Sequence, residues 1–369
     1  MNDTELIDEI TLTMVDGVGS LTFQRLYDYF GDCSAILSAS AHDLQAVSGI
    51  NPKVANKIAT ARETCSVAGL LELCRRERID IISRRDAKYP KLLKSIHDPP
   101  QILYVIGEIK ACDELAIAVV GTRQVTPYGK HATYQLTRGL ALKGITIVSG
   151  LAKGIDTISH LAALEAGGRT IAVLGGGLLK LFPKENAVLA EKIAQSGAVI
   201  SEYHPLMEPN KGTFPQRNRI VAGLSHGILI TEAPKKSGAM ITARMAVEQG
   251  RELFAVPGNI DSYTSQGCNQ LIRDGAILVE SVDDILESLG PLLEPVKHPL
   301  FANELRHPGE LQLNEIEEQV LHAVETALTP LERIVKKSGL MQHQVLAALM
   351  VLEEHTLIRR TENNQFVRF

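Results

Sequence analysis

The sequence lacks the features of several common protein classes. Tryptophan is absent and aromatic residues make up only 4% of the 369 residues, so any aromatic contact with a ligand depends on a few Phe and Tyr. The five cysteines are odd in number and show no C-x-x-C spacing, which argues against a disulfide framework or a zinc knuckle. No H-E-x-x-H, signal-like segment or bilayer-length apolar run occurs. We therefore expect a reduced, cytoplasmic protein with no metal, no cofactor and no membrane contact.

An excess of positive charge is also missing. The chain has 38 Lys and Arg against 43 Asp and Glu, a net charge of −5, so a polyanion must bind to a focused patch. One stretch provides such a patch. Between Glu208 and Glu232 there is no carboxylate, but the basic residues Lys211, Arg217 and Arg219 occur.

The segment 211–219 reads KGTFPQRNR. Gly212 and Pro215 predict a loop in its first half, because glycine allows positive φ and proline has no N–H. Cations beside Phe214 suit a flexible polyanion that can stack, and single-stranded nucleic acid is the obvious candidate. The alternative is that Phe214 is a core residue and the arginines pair with distant carboxylates. The charge pattern alone leaves both interpretations open.

Residues 1–85 are predicted to form small helices, as in SAM or helix-hairpin-helix domains. Two glycine-containing hairpins, 15–20 and 47–52, each precede a helix. Such hairpins can present N–H groups to a DNA phosphate. The second hairpin has Asn51-Pro52 where another glycine is expected, so we favour the simpler interpretation that the hairpins only join helices.

Residues 86–290 predict an α/β domain. A connector with an edge strand at 102–106 comes first, and short apolar runs then alternate with helix-like segments, which indicates a parallel sheet covered on both faces. The runs are Ala116 to Val120, Thr146 to Ser149, Thr170 to Leu174, Gly227 to Thr231, Leu253 to Val256 and Ile277 to Val279. The intervening helices are predicted at 128–143, 156–166, 185–195 and 240–249.

The carboxyl ends of these strands are the predicted ligand site. The first strand leads into Gly121-Thr122-Arg123 without a G-x-G-x-x-G motif, which argues against ordinary dinucleotide binding. The second leads into Ser149-Gly150, whose N–H groups can cup an anion before a helix. Asp156 is predicted as the N-cap of that helix.

The C-terminal part is predicted as a linker and a separate small domain. Four prolines interrupt residues 291–312, and residues 313–369 suggest three helices followed by a hairpin, the pattern of a winged helix. The third helix carries one His and no Lys or Arg. We therefore expect protein docking or a weak accessory DNA contact from this domain.

Taken together, the motifs of the central domain resemble the DNA-processing protein A family (DprA, also called Smf). The matching segments are Val119 to Arg123, Ser149 to Asp156, Phe214 to Ile220 with Ala222 to Ser225, Glu232 with Ser237 to Ala239, and Ala255 to Asn259. Their order and spacing cover about 115–280. The resemblance implies an extended Rossmann domain that binds single-stranded DNA, dimerises through that domain and loads the RecA recombinase during natural transformation.

The resemblance also implies roles for particular residues. Arg123 clamps a phosphate, and Lys211 and Phe214 hold backbone and base. The remaining implied contacts are the main-chain donors of Ser149 and Gly150 and the side chains of Lys184, Arg217, Asn218 and Arg219. At Lys180 and Leu181 the sequence departs from the acidic residue and Tyr common in relatives, which leaves the stacking partner near Phe182 open.

A second hypothesis from another class is a nucleotide-processing enzyme of the N-glycosidase or phosphoribohydrolase type. Gly175 to Gly177 then hold a phosphate, and Glu232 or Asp156 performs acid–base chemistry. The segment 237–242 resembles the glycine-rich motif of such enzymes, but Ala243-Arg244-Met245 follows it where they carry a Glu. We therefore favour a binding protein without catalytic residues.

Overall fold

The computed structural model describes residues 3–293, 314–324, 329–354, 358–360 and 365–368. The chain separates into two compact units, Met1–Lys297 and His298–Phe369. Most of the predicted linker, 291–312, lies outside the described residues. The domain boundaries predicted at 85, 290 and 312 stay predictions.

The first unit begins with seven short helices. Their ends follow local chemistry: the side chain of Asp32 accepts from the N–H of Ala35, and that of Asn51 from the N–H of Val54, so each satisfies a donor of its helix's first turn. Leu, Ile, Val and Ala side chains from these helices share one buried cluster. The helices are α1 Asp3–Thr13, α2 Ser20–Phe30, α3 Cys33–Ser38, α4 Ala41–Leu44, α5 Pro52–Ala59, α6 Ala61–Thr64 and α7 Val67–Arg76.

A nine-stranded sheet forms the body of this unit. Its strands are β1 Asp80–Ser83, β2 Ile102–Gly107, β3 Ala116–Val120, β4 Thr146–Ser149, β5 Thr170–Val173, β6 Ala198–Ser201, β7 Gly227–Ile230, β8 Glu252–Ala255 and β9 Ile277–Leu278. Their order is β1-β2-β6-β5-β4-β3-β7-β8-β9. The seven strands from β6 to β9 in this order pair in parallel, whereas β1 and β2 are antiparallel.

Helices cover both faces of the sheet. Alternate residues of β3 show this directly: Ala118 and Val120 join one buried cluster, and Ile117 and Val119 join another. Strands buried on both faces need no polar alternation, which explains their continuous apolar runs. The remaining helices are α8 Lys91–Lys94, α9 Pro127–Leu142, α10 Ile155–Glu165, α11 Ala187–Ser196, α12 Thr213–Gly223, α13 Gly238–Glu248, α14 Gln266–Arg273 and α15 Val282–Leu293.

Three predictions about these elements were wrong. Strand β2 is interior, because the unpredicted strand β1 covers its outer side. Strand β6 was missed. The segment from 213 is helical, because Pro215 stands in the first turn of α12, where a missing N–H leaves no intrahelical hydrogen bond unmade.

The strand order places a topological switch point between β3 and β7. From β3 the chain adds β4, β5 and β6 on one side, and then returns to add β7, β8 and β9 on the other. The connections leaving β3 and β7 therefore diverge above their carboxyl ends. A crevice opens at that point in sheets of this kind.

The second unit contains three helices, α16 Glu315–Ala323, α17 Leu331–Ser338 and α18 Gln342–Glu354. Asn314 and Glu317 form a reciprocal capping box at the start of α16, and α17 ends at Gly339 with φ of 69°. An antiparallel sheet has the order β10-β12-β11, from β10 Thr329–Pro330, β11 Ile358–Arg360 and β12 Gln365–Arg368. The winged-helix assignment stays a prediction.

Candidate nucleic-acid interface

A groove of about 660 Å³ lies at the switch point of the sheet. We call it the strand-end groove. Its walls come from the segments that follow β3, β4 and β7 and from the first turns of α12 and α13. Its residues are Val120–Gln124, Gly150, Ala152, Asp156, Phe182, Lys211, Phe214, Pro215, Arg217, Asn218, Val221, Pro234, Ser237–Ala239, Ile241 and Thr242.

Two cations in this groove are unpaired. Arg123 and Lys211 are both exposed, and no carboxylate in the described part of the chain lies within ion-pair distance of either. The one acidic residue that lines the groove, Asp156, is buried. The accessible surface of the groove is therefore positive, although the chain is acidic overall.

Two aromatic rings lie beside these cations. The ring centroids of Phe182 and Phe214 are 5.8 Å apart, and Cζ of Arg123 is 6.0 Å from the Phe214 centroid. The side chain of Phe182 is 52% exposed, so its ring faces solvent. A Cβ on Gly175 would come within 2.8 Å of the Phe214 ring, so glycine at this position leaves room for the ring.

Arg217 forms the floor of the groove and not a free contact. Its guanidinium is buried and donates to the main-chain carbonyls of Gly150 and Val173, at the ends of β4 and β5. Burial lowers the pKa of Arg217, and the nearby carboxylate of Asp156 opposes that shift. The side chain of Asn218, which also lines the groove, accepts from Nε of Arg217 at 3.2 Å. The arginine thus joins two strand ends to α12.

The loop after β4 is held by hydrogen bonds that leave no main-chain donor for a ligand at the predicted places. Oδ2 of Asp156 accepts from the N–H groups of Gly150 and Ala152, both at 3.2 Å. The hydroxyl of the fully buried Ser149 donates to the carbonyl of Val119. The predicted contacts through Ser149 and Gly150 are therefore corrected: both residues shape the groove from beneath. Asp156 follows the N-cap, Gly154, and is not the cap itself.

Arg219 lies on the other side of α12 from the groove. Its Nε donates to Asp98 at 2.8 Å, and Nη1 and Nη2 donate to the two oxygens of Glu202 at 2.9 and 2.6 Å. Burial disfavours its charge, but the two carboxylates outweigh burial and raise the pKa of Arg219. The prediction that Arg219 completes the pocket is corrected, because its guanidinium is already fully engaged by carboxylates.

Other basic residues surround the groove. Lys184 is exposed two residues beyond Phe182 but does not line the groove. Lys235 and Lys236 are exposed between the lining residues Pro234 and Ser237, and neither has an ion-pair partner among the described residues. The sequence analysis did not select these two lysines or Phe182. Their signal was their position shortly after the ends of β5 and β7.

The carboxylates of the alternative enzymatic hypothesis have structural partners. Glu232 is buried and accepts from the N–H of Thr126 and the hydroxyl of Thr264. Asp156 binds the loop after β4, and burial raises its pKa against the effect of Arg217. The glycines at 175–177 pack closely against Phe214 and the 204–209 segment. No group of three potential metal ligands occurs within the described ranges.

The fold and this groove define a Rossmann-like α/β protein with a cationic, aromatic cleft at the switch point of its sheet. Residues 80–290 match the family model described as DNA recombination-mediator protein A, and residues 9–75 match that of a SAM-like helix-hairpin-helix tandem. The chain belongs to the DNA recombination-mediator protein A family. The predicted family, parallel α/β body and helix-hairpin-helix N-terminus are thereby confirmed.

Individual relatives agree with this assignment. The chain is 33% identical over 402 aligned residues to a protein Smf of Synechocystis, with all of both chains covered. The X-ray structure of DNA processing protein A from Streptococcus pneumoniae matches with a TM-score of 0.67 and 36% identity, covering 76% of this chain and 97% of that one. A structure of the Helicobacter pylori protein, described by its single-stranded DNA binding mode, matches with a TM-score of 0.53 and 35% identity over 58% and 96%.

Every helix in the described ranges is too short or too polar to cross a bilayer.

Proposed function

We propose that this protein binds single-stranded DNA in the strand-end groove without strong sequence preference and acts as a recombination mediator. The carrying observation is the juxtaposition of unpaired Arg123 and Lys211 with the Phe182–Phe214 pair at the switch point of the sheet. The Helicobacter pylori relative, described by its single-stranded DNA binding mode, supports the same ligand class.

The two kinds of side chain divide the work. Arg123 and Lys211 neutralise phosphates, which supplies salt-dependent affinity for any sequence. The rings of Phe182 and Phe214 offer faces on which bases stack, each stack being worth about 1–3 kcal/mol. Unpaired bases are free to stack in this way, whereas those of a duplex are already stacked on one another. The groove therefore favours a single strand over a duplex.

Arg217, Asp156 and Ser149 act beneath the ligand. They fix the ends of β3, β4 and β5 through buried hydrogen bonds, so the cations and rings stay in place without a ligand. Pre-ordered side chains lose less entropy on binding than mobile ones. These three residues are positioning residues in this proposal.

The proposal extends to partners and setting. The bound strand is handed to the RecA recombinase during natural transformation, and the protein works as a homodimer through its central domain, as its family membership suggests. The protein does no chemistry on the strand in this proposal, since Glu232 and Asp156 are both engaged in structural hydrogen bonds.

The test is a fluorescence-anisotropy titration of labelled single-stranded and double-stranded oligonucleotides of equal length. We expect tighter binding of the single strand, and a loss of affinity in Lys211→Ala that Lys192→Ala does not share. Lys192 is an exposed lysine of α11 that does not line the groove. Equal affinity for duplex and single strand, or equal losses in both variants, would refute the proposed site.

A second assay addresses the enzymatic alternative. The protein is incubated with nucleoside monophosphates, and free base is measured by chromatography. We expect none above the level of a buffer blank. Release of base that Glu232→Gln abolishes would replace the binding proposal with the enzymatic one.

A further inference from the structure

A second cleft lies on the side of α12 opposite the strand-end groove. It measures about 400 Å³ and separates the first hairpin of the N-terminal helices from the ends of β2 and β6. Gln216 and Arg219 of α12 line it, whereas Phe214, Arg217 and Asn218 line the groove. We call this second site the hairpin cleft.

One wall of the hairpin cleft is the N-terminus of α2. The N-cap is Gly19, which has no side chain to cap the first turn, and that turn contains no acidic residue. Its free N–H groups and the helix dipole favour an anion. The second hairpin differs, because the Asn51 side chain caps α5 and Pro52 has no N–H. The predicted view that the hairpins only join helices therefore holds better for the second than for the first.

A buried amide provides independent evidence for a ligand. Gln101 lines the same cleft and is only 7% exposed, yet its Nε2 has no hydrogen-bond partner among the described residues. Buried donors in folded proteins nearly always have a partner. An acceptor group of a ligand in the cleft satisfies this amide.

The opposite wall has complementary chemistry. The carboxylates of Asp98 and Glu202 share the single positive charge of Arg219, so this end carries a net charge of one negative unit and accepts hydrogen bonds. The half-buried ring of Tyr203, whose hydroxyl donates to Gln216 at 3.0 Å, offers an aromatic surface. A ligand that fits has an anion at one end and a planar group with N–H donors at the other.

We propose that the hairpin cleft binds a nucleoside monophosphate unit, with its phosphate at the N-terminus of α2 and near Gln101 and its base near Tyr203 and Glu202. The unit is a free nucleotide or the phosphorylated 5′ nucleotide of a strand. This site is separate from the strand-end groove and does not depend on the function proposed for it.

The test is equilibrium dialysis of the full chain with dAMP, deoxyadenosine and inorganic phosphate as separate probes. The key variant is Gly19→Asp, because a Cβ at Gly19 has no atom within 4 Å and the backbone there suits an N-cap residue. Its carboxylate occupies the first-turn N–H groups that the phosphate needs. The matched control is Asn51→Asp, which adds the same charge and retains the cap of the second hairpin.

We expect dAMP to bind the parent and Asn51→Asp equally, and to bind Gly19→Asp and Gln101→Leu about tenfold more weakly or not at all. Circular dichroism melts establish that the variants are folded. We expect deoxyadenosine and phosphate alone to bind more weakly than dAMP. A matched pair of 5′-phosphorylated and 5′-hydroxyl oligonucleotides then decides between the two sources of the unit.

Several outcomes would overturn this proposal. They are no binding of dAMP to the parent, equal binding by folded Gly19→Asp, or phosphate alone binding as tightly as dAMP. Loss of dAMP binding in Arg123→Ala would place the nucleotide in the strand-end groove instead. Failure of single-stranded DNA to bind, with dAMP binding intact, would refute the proposed function and leave this site standing.

Discussion

Replacing Arg219 with alanine separates a structural arginine from a ligand-binding one. Arg217 and Arg219 belong to one basic segment, and the sequence analysis assigned both to the DNA. In the structure, the side chain of Arg219 is only 11% exposed and donates three hydrogen bonds to Asp98 and Glu202. Arg219→Ala leaves both carboxylates without their cation.

The size of the effect follows from burial. Removing one partner of a buried ion pair costs about 3–5 kcal/mol, because the remaining charge is left uncompensated. The side chain of Glu202 is 15% exposed and loses most of its solvation, but that of Asp98 is 38% exposed and water can reach it. We therefore expect the low end of that range, a loss of about 3 kcal/mol in the free energy of unfolding.

The comparison is with Arg123→Ala, which removes an exposed cation that has no ion pair. We expect its free energy of unfolding to change by less than about 0.5 kcal/mol. Its affinity for single-stranded DNA falls, and the slope of log K against log salt decreases in magnitude by about 0.7, the value for one phosphate contact on a single strand. In Arg219→Ala that slope stays at the parental value.

Urea unfolding followed by circular dichroism gives the first quantity, since the chain has no tryptophan to report by fluorescence. Anisotropy titrations of a labelled single strand at several salt concentrations give the second. Suppose that Arg219→Ala decreases the salt slope as much as Arg123→Ala does and leaves unfolding unchanged. Arg219 then contacts phosphate, and our assignment of its guanidinium to the carboxylates is wrong.

Three further predictions concern the groove and its support. Phe214→Leu keeps an apolar side chain but removes the ring, so we expect single-strand affinity to fall by about 1–3 kcal/mol in anisotropy titrations; parental affinity would contradict base stacking there. Gly150→Ala places a methyl group against the guanidinium of Arg217, and we expect urea unfolding to show a loss of about 1–3 kcal/mol; unchanged stability would show that the arginine has room to move. Burial lowers the pKa of His160 from 6.5 to about 3, so the unfolded chain takes up the proton first and stability falls as pH drops below 6.5. At pH 5 the expected loss is about 2 kcal/mol relative to pH 7, and His160→Asn should not show it in urea unfolding at the two pH values; an identical pH dependence in both proteins would contradict this.

The sequence by itself determined the parallel sheet and several groove residues. Strands such as Ala116–Val120 were predictable, because a strand buried on both faces is a short continuous apolar run whatever its neighbours are. Arg123 and Phe214 were found because they stand beside strand-end glycines or in a segment without carboxylates. These signals are local, and local patterns can be interpreted without knowing the fold.

Only the tertiary structure decided which basic residues face the groove. Arg217 and Arg219 are two positions apart, and on a helix this turns their side chains about 200° from each other. Pro215 had suggested a loop, in which that geometry does not arise. The partners of Arg219 stand 121 and 17 residues away in the chain, and Arg217 is buried beneath a strand end 67 residues distant. No local pattern records such pairings, because they form only when the sheet brings distant segments together.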